Sequence, residues 1–301
     1  MLDDTRRDPV SHAVGARLLT ALLLVLTAGC GRGADAPATG PAAVRVTISR
    51  DYGGHVLAAR TTPAGESALN GLRRVSRVST SYAGRFVQAI DGLAGDRSGG
   101  YDWLYFINGI APDSGAADVH LYPGDREWWD RRYWSDLVQT PVAIGAWPEP
   151  FVHGYGGHRH AVSVTGPACA AALASTLRAD GADVVSGTAA YRVKVETFAQ
   201  AAGELSDWQG RGLTVSLQNG RVMLYRGAAG RVPLPAAHAV IVGYQPPVAP
   251  GDAVVLVVAG DSRQSACAAA GTLAAHPAAV ADTYAVALDA SGTVIAAGGR
   301  S

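Results

Sequence analysis

Tyr101-Asp102-Trp103-Leu104-Tyr105-Phe106-Ile107-Asn108-Gly109 is the densest aromatic stretch in a chain otherwise rich in Ala, Gly and Val. Alternation along an extended backbone sends Trp103, Tyr105 and Ile107 to one face and Leu104 and Phe106 to the other. A strand apolar on both faces is covered on both, so the stretch reads as the main strand of a small sheet, with a helix on one side and further structure on the other. Asn108-Gly109 supplies the positive-φ pair of a tight turn. The segment 126–134, REWWDRRYW, repeats the aromatic density among charges and reads as a second strand. Arg131 and Arg132 there can stack on neighbouring rings.

Working outward, Val44, Val46 and Ile48 alternate as in a half-buried strand. Residues 61–75 read as a helix, with Thr61 or Thr62 near its cap, Pro63 in the first turn and a stripe of Ala68, Leu69, Leu72 and Val75. Two strands are expected around 80–84 and 85–95. A short strand over 117–122 precedes a Pro-Gly-Asp turn. One helix across a mixed sheet of four or five strands gives 43–140 an α+β, β-grasp-like plan. A connector at 141–160 carries Pro148 and Pro150. A second domain, α/β or α+β, follows over 161–301. In it 160–166 is a strand leading to a helix from Pro167 to Gly181. Residues 252–260 form a strand apolar throughout, the mark of burial on both faces. A helix over 262–277 and a hairpin over 283–299 close the chain. The two strand-to-helix units each place a Cys in the first turn of an Ala-rich helix, which fits an internal duplication or a shared composition.

Of the 301 residues, 48% are hydrophobic and 17% charged, the balance of a folded protein. Lys+Arg and Asp+Glu are both 25, so no general attraction to nucleic acid follows. Arg6, Arg7 and Arg17 precede an apolar run from Leu18 to Gly29 that ends at Cys30. That pattern is a secretory signal over 1–30, far shorter than the ~20 residues of a spanning helix. The Gly/Pro/Ala-rich residues 31–42 read as a flexible tether. Cys169 and Cys267 remain, an even pair suited to one disulfide in an oxidising compartment.

His153, His158 and His160 cluster in the connector. With Arg159 between the last two and no carboxylate evident to orient the rings, an ordered connector is read there and no metal site. The turns after 160–166 and 252–260 resemble phosphate cradles but lack full glycine spacing, so packing and capping are expected. No nucleophile or paired-acid signature stands out. Catalytic residues, an enzymatic role and a cofactor are therefore not expected.

Two resemblances add to this. The residues Leu26-Thr27-Ala28-Gly29-Cys30 resemble the lipobox of bacterial lipoproteins, which implies lipidation of Cys30. A membrane is then a partner through the anchor, with the folded part held on the extracytoplasmic face. The strand with Trp103, Tyr105, Asn108 and Gly109, the turn at Gly124 and Asp125, and the strand with Trp128 and Tyr133 follow the helix around Ala68–Val75. Together they resemble the small C-terminal domain of transcobalamin and intrinsic factor, over about Ala43 to Trp134. The resemblance implies a β-grasp-like fold and an extracytoplasmic setting, with cobalamin as a candidate ligand and a vitamin-uptake transporter as a candidate partner. The candidate ligand or partner surface is Trp103, Tyr105, Asn108, Trp128, Trp129 and Tyr133. The same aromatics read equally as core, in a structural or protein-interaction lipoprotein without a small-molecule ligand.

Overall fold

Val44, Val46 and Ile48 line one side of β1 (Ala43–Arg50) in the computed structural model, which describes residues 43–300. Cys30, the signal segment and the tether lie outside the described residues. Through Asp51, Tyr52 and Gly53, all at positive φ, the chain turns into antiparallel β2 (His55–Pro63). This strand occupies the first residues of the expected helix. Thr61, Thr62 and Pro63 pair with β1, and an edge strand tolerates a proline at its end because no ladder bond is lost. The helix α1 (Ala68–Val75) starts instead at Ser67, whose hydroxyl accepts from the Asn70 N–H at 3.3 Å.

A separate antiparallel sheet follows, of β3 (Val78–Ser81), β4 (Phe86–Ile90) and β5 (Leu93–Ala94). Then come the aromatic strands β6 (Tyr101–Ile107) and β7 (Arg126–Tyr133). The main sheet runs β2-β1-β7-β6, with β1 and β7 parallel at its centre. With α1 on one face, this is the β-grasp-like arrangement. Residues 117–122 form no strand and make a single bridge, Ser67 to His120. The backbone of residues 116–119 serves the helix instead. Val119 and Ala116 carbonyls accept from the Ala68 and Leu69 N–H groups at 2.8 and 2.9 Å, donors that a helix start leaves unpaired.

The remaining chain forms β8 (Val162–Thr165), α2 (Ala170–Ala179), β9 (Val184–Val185), β10 (Tyr191–Thr197), α3 (Phe198–Ser206) and α4 (Trp208–Arg211). It continues as β11 (Val215–Gln218), β12 (Arg221–Tyr225), β13 (Arg231–Pro233), β14 (Ala239–Tyr244), β15 (Val254–Gly260), α5 (Arg263–Ala275), β16 (Ala285–Leu288) and β17 (Val294–Ala297). A seven-stranded sheet runs β17-β16-β14-β15-β10-β8-β9. Its centre, β15, is buried at every position, as a strand covered on both sides must be. Leu173, Leu177, Ala269 and Leu273 of α2 and α5 pack in the core on one face, and Phe198, Ala201 and Leu205 of α3 in the core on the other. The whole is an α+β protein, and all described residues fall in one compact unit.

Cys169 and Cys267 are disulfide-bonded, with Cα atoms 5.6 Å apart, and so tie α2 to α5. Cys169 caps α2, whereas Cys267 sits a full turn inside α5, because α5 begins at Arg263 behind a Ser262/Ser265 capping box. Thiol labelling without reductant is expected to modify neither cysteine; modification of both in folded protein would contradict the bond. Among the described residues no helix is long and apolar enough to cross a membrane.

Candidate functional site

The face of the β-grasp-like sheet that α1 leaves uncovered carries Arg45, Thr47 and Ser49 from β1 and Arg126, Trp128, Asp130 and Arg132 from β7, every second residue of each strand. Half of this face is sealed. Phe106 and Trp128 pack on Tyr284, the ring centroids 5.3 and 4.9 Å away, and Tyr52 packs between Tyr284 and Tyr225. The other half stays open as a cleft of about 580 Å³. Arg45, Thr47, Arg126 and Trp128 form its floor, and Trp147, Pro148, His153, Ala281 and Asp282 stand among its walls.

The expected connector builds one of these walls. Val142, Ile144, Trp147, Phe151 and Val152 are buried in the core of the seven-stranded sheet. The Gly145 N–H donates to the Thr283 carbonyl at 2.8 Å. A Cβ at Gly145 would lie 2.3 Å from the Thr283 nitrogen, so only glycine permits this approach. The segment is thus bolted to the loop before β16, and the cleft floor and walls belong to one framework.

Of the sequence-derived candidates, Trp128 lines the cleft and the others lie elsewhere. Trp103 is buried beneath α1 and donates its indole N–H to the Leu93 carbonyl at 2.9 Å. Tyr105 stacks on Trp129 at 4.8 Å on the same face and donates its hydroxyl to the Ser114 carbonyl. Trp129 is buried and donates to Glu127 Oε1 at 2.5 Å. Tyr133 is half-buried against Tyr101. Arg131 and Arg132 do stack on rings, Arg131 over Tyr101 at 4.8 Å and Arg132 over Tyr52 at 5.1 Å.

Asn108, fully buried, forms the turn to Gly109 with both residues at positive φ. Its amide donates to Asp125 Oδ1 and to the Gly154 carbonyl, each at 2.7 Å, and its Oδ1 accepts from the Arg126 N–H at 2.8 Å. One side chain thereby fixes β6, β7 and the cleft wall together. Asn108→Ala strands these partners and is expected to lower unfolding stability by about 2 kcal/mol. A thermal melt indistinguishable from that of the parent protein would contradict this.

Sequence reasoning missed the carboxylate beside His153. Glu149, 5% exposed, accepts from the His153 backbone N–H at 2.8 Å through Oε2 and meets ring Nδ1 at 2.5 Å through Oε1. That hydrogen bond raises the imidazole above its ordinary pKa. The partners are four residues apart, a local signal hidden by the prolines around Glu149. His158 closes a turn with Tyr155, and His160 lies against the Tyr191 ring at 4.9 Å. Among the described residues no group of three or more His, Cys, Asp or Glu is placed to hold a metal.

Two buried polar assemblies were also not foreseen. On the face with the cleft, Asp130 accepts from Ser49 Oγ at 2.6 Å, from the Gly53 N–H at 3.0 Å and from the Tyr284 hydroxyl at 3.2 Å. Arg132 beside it donates to the Tyr52 hydroxyl at 3.0 Å and the Leu137 carbonyl at 2.9 Å. Under α1, Glu127 is 1% exposed, and burial pushes its carboxyl up to about 8. Its Oε2 lies where a Cβ on Gly71 would intrude at 2.9 Å, so a bare helix position makes room for it. The two phosphate-cradle look-alikes are filled by the chain itself. Ser262 and Ser265 cap α5, and Asp261 beside them contacts the His238 ring at 2.6 Å. Gly166 passes close to β10, where a Cβ would stand 2.5 Å from the Val195 carbonyl oxygen.

Residues 65–132 match the family model described as a domain of unknown function, DUF4430. That segment contains α1, β6 and most of β7, including the Asn108 turn and the Trp128 floor of the cleft. A candidate metal-binding protein of Ruminococcus gnavus ATCC 29149 is 15% identical over 30% of this chain and 96% of its own, with a TM-score of 0.26. Haptocorrin, solved in complex with Cbi, is 14% identical over 31% of this chain, with a TM-score of 0.23. The match spans 26% of the haptocorrin chain. No curated protein matches this chain.

Proposed function

We propose that this is a lipid-anchored binding or accessory protein of the extracytoplasmic face, not an enzyme, and that its ligand enters the cleft over Trp128. The observation that carries this reading is the cleft itself. Its volume of about 580 Å³ falls in the range of small-molecule sites. Its wall and floor combine apolar groups, among them Pro148, Ala281 and the exposed parts of Trp128 and Trp147, with a few polar ones, the usual division between affinity and orientation. Two acids near the cleft are committed to structure, Glu149 holding His153 and Asp130 enclosed by Ser49, Gly53 and Tyr284, while Asp180 and Asp282 stand on its walls. The lipobox at Cys30 supplies the anchor in this reading.

A corrinoid is the first ligand to test, by calorimetry of the purified chain against cobalamin and cobinamide. Saturable heat with either supports a corrinoid carrier or an uptake accessory. A flat titration by folded protein removes the corrinoid while leaving the cleft open to another ligand. For the anchor, Cys30→Ala is expected to move the protein out of the membrane fraction; retention there would contradict lipidation.

The second reading, an envelope lipoprotein acting through structure or protein contact, draws on the burial of Trp103 and Trp129 beneath α1. It also draws on the exposed Val56 and Leu57 of the edge strand β2. In that case calorimetry against small molecules is silent.

A further inference from the structure

The open half of the sheet face holds two arginines side by side. Arg45 and Arg126 are directly paired residues of parallel β1 and β7, so their side chains leave the sheet on one face, from backbones about 4.8 Å apart. Both line the cleft next to Thr47 and Trp128. Several other guanidinium groups are engaged: Arg74 on Glu66, Arg132 on Tyr52 and backbone carbonyls, Arg300 on the Asp282 carbonyl. Among the described residues neither Arg45 nor Arg126 has a carboxylate within 4.0 Å.

Two of the acids around the cleft are turned away from the pair, and two stand beside it beyond ion-pair distance. Glu149 is held by His153. Glu127 contributes to the floor, but its carboxyl turns to the opposite face beneath α1. Asp180 stands on the wall at the end of α2. Asp282 is the acid that feels both arginines, and burial outweighs them, raising its pKa. Two adjacent like charges at the mouth of a partly enclosed cleft concentrate positive potential there, and paired guanidinium forks match the geometry of carboxylate and phosphate oxygens. Trp128 and Trp147, 5% and 4% exposed, add a small apolar area beyond them, with Pro148 and Ala281 beside it.

We propose that the cleft takes an anionic ligand with a small apolar body, its carboxylate or phosphate seated on Arg45 and Arg126 and its body against Pro148, Ala281 and the exposed parts of Trp128 and Trp147. The proposal rests on the cleft being the binding surface and adds the chemical class of what binds. It assigns Arg45 and Arg126 as the specificity-determining residues, and it makes the affinity dependent on salt.

The test uses the purified chain carrying 5-fluorotryptophan at its 6 tryptophans, read by fluorine NMR, with the Trp128 and Trp147 resonances assigned from Trp128→Phe and Trp147→Phe. Phenyl phosphate, benzoate and neutral benzyl alcohol are the probes. Saturable shifts of those two resonances with one or both acids are expected, at least tenfold tighter than with benzyl alcohol. Which acid binds tighter separates a phosphate ligand from a carboxylate one. Arg45→Gln alters an exposed side chain and leaves the fold intact. It is expected to weaken the acids about tenfold without moving benzyl alcohol, and Arg126→Gln to do the same. If benzyl alcohol binds as tightly as the acids and neither glutamine variant changes this, the cleft remains a binding site and the anionic class is overturned. If no probe moves either resonance, the cleft reading falls with it.

Discussion

Arg132→Met is expected to lower the unfolding free energy by about 3 kcal/mol, because buried partners of a charged donor lose their hydrogen bonds. Methionine keeps most of the volume but none of the donors. It leaves the Leu137 carbonyl without this donor and the Tyr52 hydroxyl with the Tyr133 carbonyl alone. Asp130, fully buried, then loses the cation whose charge acts to lower its pKa. The loss falls on the seam between the two halves, because Tyr284 and Tyr225 reach the sheet through this network. Replacing Asp130 by Asn in the Arg132→Met background is expected to recover part of the loss, since no uncompensated charge then remains. Urea denaturation of the three variants checks this. A midpoint for Arg132→Met within error of the parent would show that the network is incidental.

The second large effect has the opposite sign. Burial raises the Glu127 carboxyl from 4.5 to about 8, so at neutral pH the folded chain binds a proton there that the unfolded chain does not. A group raised in the folded state contributes its full stability below the unfolded value and loses it as pH rises through the folded one. Stability attributable to Glu127 therefore falls from about pH 4.5 to about pH 8. Glu127→Gln mimics the protonated acid, keeps an acceptor for the Trp129 indole and removes the titration. It is expected to be more stable than the parent by about 3 kcal/mol at pH 7, from the distance between that pH and the unfolded value at 1.36 kcal/mol per unit. The two stabilities are expected to converge near pH 4.5. Parallel stability curves from pH 4.5 to 8 would contradict the placement of this carboxyl beneath α1.

The aromatic strand was legible because period-two alternation is local: Trp103 and Ile107 went under α1 and Phe106 to the far face, and Asn108-Gly109 made the turn. The start of α1 was misread because Thr61 and Thr62 resemble caps as well as Ser67 does. What decided between them was the pairing of Thr61 and Thr62 with β1, a contact no local window contains. The alternation of Tyr191, Val193 and Val195 and the apolar run of Ala239–Tyr244 were signals for β10 and β14 that went unread. The cleft could not be read at all. Arg45, Trp128, Trp147 and Asp282 come from four distant segments, and nothing in any one of them marks the others. Trp128 was singled out for its chemistry, and the fold alone shows that it differs from Trp129, its neighbour on the covered face.

The central claim is that the open half of the sheet face is where a ligand binds. It is tested most directly by soaking crystals of the chain with small aromatic acids and their neutral counterparts and locating what is bound. The expected result is density between Trp128 and Trp147, with acidic groups on Arg45 and Arg126. Ligands gathered in other grooves, such as the polar one beside Tyr82, Phe86 and Asp102, while the Trp128 cleft stays empty, would contradict it.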